Sequence, residues 1–159
     1  MVAQPDKWGP PPRRRSARTV AQFEVFSELL VTAERLERDV IELLKGAELS
    51  LAQYNVLRIL RGAGSAGLAC GQVGTRLIRH DPDVTRLLDR LEKRGLIGRA
   101  REQQDRRIVR TTITADGLAL LAGLDGPLDR LHEQQLGHMN ERRLGTLRTL
   151  LSEARTRKG

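Results

Sequence analysis

The sequence predicts a mainly α fold of the α+β class, in which one small β element is set among helices. Three observations lead there. Apolar residues recur at helical spacing in six separate stretches between Val20 and Leu151. Two β-prone runs, Leu96–Arg101 and Ile108–Ile113, stand about six residues apart, a length that suits a hairpin. Aromatic residues make up 3% of the chain, so the core must be Leu, Val, Ile and Ala. The same scarcity removes any stacking platform for single-stranded nucleic acid.

Each element has a local reason. Residues 1–18 are rich in Pro and Arg, and Pro10-Pro11-Pro12 cannot be helical. A disordered tail is expected there, with a basic arm on phosphates as the alternative. From Val20 to Lys45, Phe23, Phe26, Leu29, Leu30, Leu36, Val40 and Leu44 fall on a wide helical stripe of about seven turns. A small domain cannot cover such a helix alone, so it is expected to pack on a second chain. Gly46 fits its stop. Ser50 and Gln53 form a capping box for a helix carrying Tyr54, Val56, Leu57 and Leu60 and stopping at Gly62. Leu68-Ala69 is a candidate for a single short strand.

A short helix should follow from Gly71 through Val73 to Leu77-Ile78. Its glycines, Gly71 and Gly74, each weaken it by up to ~1 kcal/mol, so it needs tertiary support. Asp81 reads as the N-cap of the next helix and Pro82 as its first residue. Val84, Leu87, Leu88 and Leu91 occupy one face of that helix. Thr85, Arg86, Asp89, Arg90, Lys93 and Arg94 occupy the other, and Gly95 ends it. The hairpin comes next, with a charged tip, Glu102 to Arg107. Thr114–Gly117 caps a further helix that Pro127 should kink or restart. Leu144, Leu147, Leu150 and Leu151 mark the last helix.

Charge points to a partner class. The net charge is +8, but residues 20–49 hold three Lys/Arg against seven Asp/Glu, whereas residues 50–113 hold thirteen against six. A basic centre between more neutral flanks suits a polyanion. Of the 28 basic residues 24 are Arg, the side chain suited to bidentate phosphate and guanine contacts, although a GC-rich genome also favours Arg. No run of about 18 apolar residues offers a membrane span, and no apolar signal-peptide core is present, so a cytoplasmic setting is expected. The single cysteine, Cys70, excludes an intramolecular disulfide.

Two short helices joined by a tight turn and followed by a hairpin define a winged helix-turn-helix. Its second helix reads a major groove from its N-terminal half. The candidates there are Asp83, Thr85, Arg86 and, one turn on, Arg90. Asp83 either accepts from cytosine or helps cap the helix, the cap being favoured. At the hairpin tip, Arg106 and Arg107 fit a minor groove.

Residues 50–117 resemble the MarR family of bacterial transcription regulators. The resemblance rests on Leu51-Ala52-Gln53-Tyr54-Asn55-Val56-Leu57, on Val84-Thr85-Arg86-Leu87-Leu88-Asp89-Arg90-Leu91-Glu92-Lys93-Arg94-Gly95-Leu96-Ile97, on Asp105-Arg106-Arg107, and on Ile113-Thr114-Ala115-Asp116-Gly117. It extends through flanking helices over about residues 20–155. It implies a homodimer built by residues 19–49 and 116–159, and a DNA-binding lobe at 50–115. The dimer would bind a palindromic operator, Asp105 orienting the wing and Arg107 reaching the minor groove. It also implies repression relieved by a small aromatic or anionic effector. Phe23, Phe26, Tyr54 and Arg58 are candidates for lining the effector pocket, with dimer core the favoured role for the two phenylalanines. Asp83, the glycines at 71 and 74, and the Pro/Arg tail depart from the family pattern.

Other chemistries find little support. His80, His132 and His138 are too scattered for a metal site, and no cofactor motif or catalytic constellation is present. Asp89 and Glu92 read as partners for Arg86, Arg90, Lys93 and Arg94 rather than as an acid–base pair. Cys70 reads as a small buried residue before a redox switch. The alternative to a DNA-binding regulator is a dimeric interaction module that takes a ligand or protein and little or no DNA.

Overall fold

The computed structural model describes residues 16–79, 81–101 and 108–156. The chain divides into two compact units, one up to Arg38 and one from Asp39 onward. Helix α1, Ala17–Lys45, begins in the first unit and ends in the second. Before Arg38 its apolar stripe is largely bare: Val25, Phe26, Leu29 and Leu30 are exposed. Past Asp39 the stripe is covered, and Leu44 is fully buried.

The second unit holds the core. Helix α2, Leu51–Ala63, starts at the expected capping box. The Ser50 hydroxyl accepts from the Gln53 N–H at 3.2 Å, and the Gln53 side chain accepts from the Ser50 N–H at 2.9 Å. Val56, Leu57 and Leu60 are fully buried. The helix runs one residue past Gly62, and a single 3-10 turn, Gly64–Ala66, follows. Strand β1 is Leu68–Ala69, as short as the sequence suggests. Helix α3 is Cys70–Arg76, and α4 is Val84–Lys93. Strands β2, Ile97–Arg101, and β3, Val109–Ile113, pair antiparallel. The sheet order is β1-β3-β2, with Leu68 and Arg99 both opposite Thr111. Helix α5 is Ala115–Leu136 and α6 is Glu141–Arg155.

Three local expectations are corrected. Helix α3 stops at Arg76; Leu77 is already extended, and Ile78 is 78% exposed instead of continuing an apolar face. The N-cap of α4 is Asp83, not Asp81. Asp81 instead accepts from the N–H of Asp83 at 2.8 Å, a two-residue Asx link that competes with helix and delays its start past Pro82. Helix α1 does stop directly before Gly46, as expected, and the left-handed residue of the turn that follows is Glu48 (φ 53°). Finally, α5 does not restart at Pro127, which lies inside one continuous helix. Leu121, Leu124 and Leu128 are buried on both sides of the proline. At about 1.5–3 kcal/mol for each buried leucine, their burial outweighs the ~3 kcal/mol that an interior proline costs.

Gly95 and Gly117 are among the glycines that geometry requires. Gly95 ends α4 with φ 71°, and the following Leu96 N–H donates back to the Leu91 carbonyl at 3.0 Å, closing the helix end. Gly117 lies so close to β2 that a Cβ would stand 2.3 Å from the Leu96 carbonyl oxygen. The Thr114 hydroxyl joins these two places. It accepts from the Gly117 N–H at 3.1 Å and donates to the Gly95 carbonyl at 2.7 Å.

Candidate nucleic-acid interface

Helix α4 owes its position to three leucines. Leu87, Leu88 and Leu91 are buried, at 7%, 0% and 0% exposure, so the opposite face must point to solvent. That face presents Thr85, Arg86, Arg90 and Lys93, all exposed. Asp83 begins the helix as its cap, its carboxylate accepting from the Arg86 N–H at 3.1 Å and standing 3.9 Å from the Arg86 guanidinium. The capping role of Asp83 is thus present in the structure, through one oxygen of an exposed carboxylate. Cys70, half-buried on α3, lies with its Sγ 3.7 Å from the Thr85 hydroxyl. Asn55 on α2 steadies the turn between α3 and α4, accepting from the Ile78 N–H at 3.0 Å.

The carboxylates of α4 have a different partner from the expected one. Asp89 and Glu92 bind Arg99, on β2, and none of the helix arginines. Arg99 Nε donates to Glu92 at 2.9 Å and its Nη2 reaches both carboxylates. The hydrogen bonds it donates, to Glu92 first and then to Asp89, hold the guanidinium above its ordinary pKa. Arg99 thus ties α4 to β2 and offsets negative charge beside the basic face. The expectation passed over it because a contact across Gly95 depends on how the strand folds back. Arg94 is exposed with the other cations, as expected, and its guanidinium also donates to the carbonyls of Ala47 and Glu48. Asp105, Arg106 and Arg107 lie outside the described residues, as does His80.

Of the expected effector residues, Tyr54 and Arg58 are brought together. Tyr54 is buried at 9% exposure, and the Arg58 guanidinium stands 5.7 Å from its ring centroid, a cation–π distance. Nearby, Arg61 pairs with Asp125 of α5 at 2.8 Å. That hydrogen bond raises the arginine's pKa and lowers the carboxyl's. Phe23 and Phe26 belong to the first unit, Phe23 half-buried and Phe26 55% exposed. No group of three metal-ligating side chains occurs among the described residues.

Comparison with known proteins agrees with this arrangement. The MarR family model matches residues 49–109, which run from the end of the α1–α2 turn into β3. A MarR transcription factor from Planctomyces limnophilus is 38% identical, with a TM-score of 0.65 over 88% of this chain and 98% of that one. The chain belongs to the MarR family. Another relative is the HTH-type transcriptional regulator TtmR of Methylorubrum extorquens, 37% identical over 109 residues. Those residues are 69% of this chain and 52% of TtmR, so the chain spans about half the length of that regulator. The MarR fold also appears in a mutant MarR from Escherichia coli complexed with operator DNA, at 22% identity and a TM-score of 0.76, covering 89% of this chain and 100% of that one. Among the described residues no helix is long and apolar enough to cross a membrane.

Proposed function

We propose that this chain is a sequence-specific regulator of transcription that binds double-stranded DNA as a homodimer. The observation that carries the reading is the two-sided α4. Three buried leucines hold it, Asp83 caps it, and Thr85, Arg86 and Arg90 stand together on its outer face. An exposed helix with this face and about ten residues of length fits a major groove. The likeness to a MarR bound to operator DNA supports the same docking. Arg86 is placed to chelate guanine, a contact worth ~1–3 kcal/mol of discrimination. Arg106 and Arg107 serve the minor groove, and Asp105 orients the wing. The bare apolar residues of α1 and α6, among them Phe26, Leu29 and Leu150, are the faces a second copy would cover. The partner is then a palindromic operator.

The proposed mode is repression, by occupying a promoter in the cytoplasm. Release by a small aromatic or anionic effector is part of the proposal, with Arg58 as the cation and Tyr54 as the aromatic wall, and Phe23 and Phe26 on α1 as further candidates. Selection from a pool of randomised 30-bp duplexes, followed by mobility shift at several salt concentrations, tests the core of it. An enriched inverted repeat and an affinity that falls steeply with salt are expected. No enrichment with a flat salt response would favour the interaction module instead. In the selected duplex, Arg86→Ala should relax preference at one base pair per half-site, and Arg107→Ala should weaken binding while leaving the dimer intact.

A further inference from the structure

Arg94 caps the C-terminal end of α4, and its exposed guanidinium is engaged by backbone carbonyls of the same lobe. Its Nη1 donates to the Glu48 carbonyl at 2.6 Å and its Nη2 to the Ala47 carbonyl at 3.1 Å. Those carbonyls belong to the turn that closes α1. The turn is an unusual one, because Glu48 holds a left-handed conformation at φ 53° with no glycine to ease it. Buried side chains brace it from both sides. Leu44 and Leu49 are 0% and 5% exposed, and the Leu49 N–H donates to the Leu44 carbonyl at 3.1 Å. A planar guanidinium can reach two neighbouring carbonyls at once in fixed directions, which a lysine cannot. The end of α1 and the end of α4 are therefore joined by a directional link, 46 and 47 residues apart in sequence.

We propose that Arg94 is a positioning residue for DNA reading. By holding the turn after α1, it sets the placement of α4 and so of Thr85, Arg86 and Arg90, without itself touching DNA. The inference rests on the DNA-reading function proposed above. It has a consequence for regulation: whatever displaces the last turns of α1 displaces the reading helix through these two hydrogen bonds. It also separates two classes of arginine that look alike in sequence, those that face a polyanion and one that supports them from behind.

The test compares the full-length wild type with Arg94→Gln and Arg94→Lys. Hydrogen exchange is measured without DNA, and binding is measured across a salt series to the duplex that the wild type selects from a randomised pool. Arg94→Gln should speed exchange in both the 46–49 turn and α4, and weaken binding about tenfold, within the usual range of coupling between sites. The log–log salt slope should not change, because no phosphate contact is lost. Arg94→Lys should recover part of the affinity. A slope smaller by about one unit would mark Arg94 as a phosphate contact and overturn the proposal. Faster exchange confined to the turn, with unchanged affinity, would overturn it too. Should the wild type select no duplex, the DNA-reading function fails by itself. The exchange arm still decides the link, since unchanged exchange in α4 rejects it.

Discussion

Thr111 shows how a single buried atom shapes this lobe. It is 1% exposed on the central strand, and its hydroxyl finds no partner among the described residues. An unsatisfied buried hydroxyl costs about 1–3 kcal/mol, so Thr111→Val should raise stability by about 1 kcal/mol in a denaturant titration. A loss instead would mean that the hydroxyl is bonded in solution. Gly117 is the opposite case. A methyl group there would press on the Leu96 carbonyl and on Ile113, 2.8 Å away, so Gly117→Ala should cost about 1–3 kcal/mol by the same measurement. Asp83 is a third. With its carboxylate on the Arg86 N–H, Asp83→Ala should cost about 1 kcal/mol of lobe stability. It should leave base preference at the selected duplex unchanged. A shifted preference at one base pair would restore the cytosine-reading alternative.

Ion pairs between elements set how α2, α4, α5 and the hairpin meet. Arg99 joins α4 to β2 through two carboxylates, with its side chain 21% exposed. Removing it leaves Asp89 and Glu92 as negative charges beside the proposed DNA face. Arg99→Met should therefore lower DNA affinity, and restoring neutrality with Asp89→Asn and Glu92→Gln should return part of it; no recovery would show that the clamp's geometry, and not its charge, matters. Between α2 and α5, Arg61 holds the Asp125 carboxyl below its ordinary value of 3.8. A carboxylate with a depressed folded-state pKa stabilises the fold above the unfolded value and loses that contribution as pH falls through the folded value. The link is thus complete near neutrality and begins to weaken only as pH falls below about 4. Because both partners are substantially exposed, the effect is small. The acid-unfolding midpoint of Asp125→Asn should move little in salt, and less with salt than that of the wild type.

At the scale of the molecule, the apolar faces outnumber what one chain can cover. Leu147, Leu150 and Leu151 on α6 are exposed, and no residue of that helix is buried. Leu147→Glu with Leu150→Glu should shift the sedimentation of the chain toward monomer and weaken binding to an inverted repeat more than to a half-site. Much of this organisation is legible in sequence because it depends on local rules. Helical and strand periods, the Ser50–Gln53 box, the Gly95 stop and the Thr114 cap each follow from a few neighbouring residues. So does the division of α4 into Leu87, Leu88 and Leu91 on one side and Thr85, Arg86 and Arg90 on the other. Less legible were the start of α4 and the fate of Pro127. At the first, two aspartates competed for one cap; at the second, burial on either side overrode a local penalty. What only the tertiary structure decided is which charges meet. Arg99 turns to Asp89 and Glu92, and Arg94 to the carbonyls of Ala47 and Glu48, because folding brings together residues up to 47 apart. Sequence by itself determined most of the elements and the exposed basic face of α4. The fold determined which arginines are engaged within the chain, since a guanidinium's partner depends on distance in space and not along the chain.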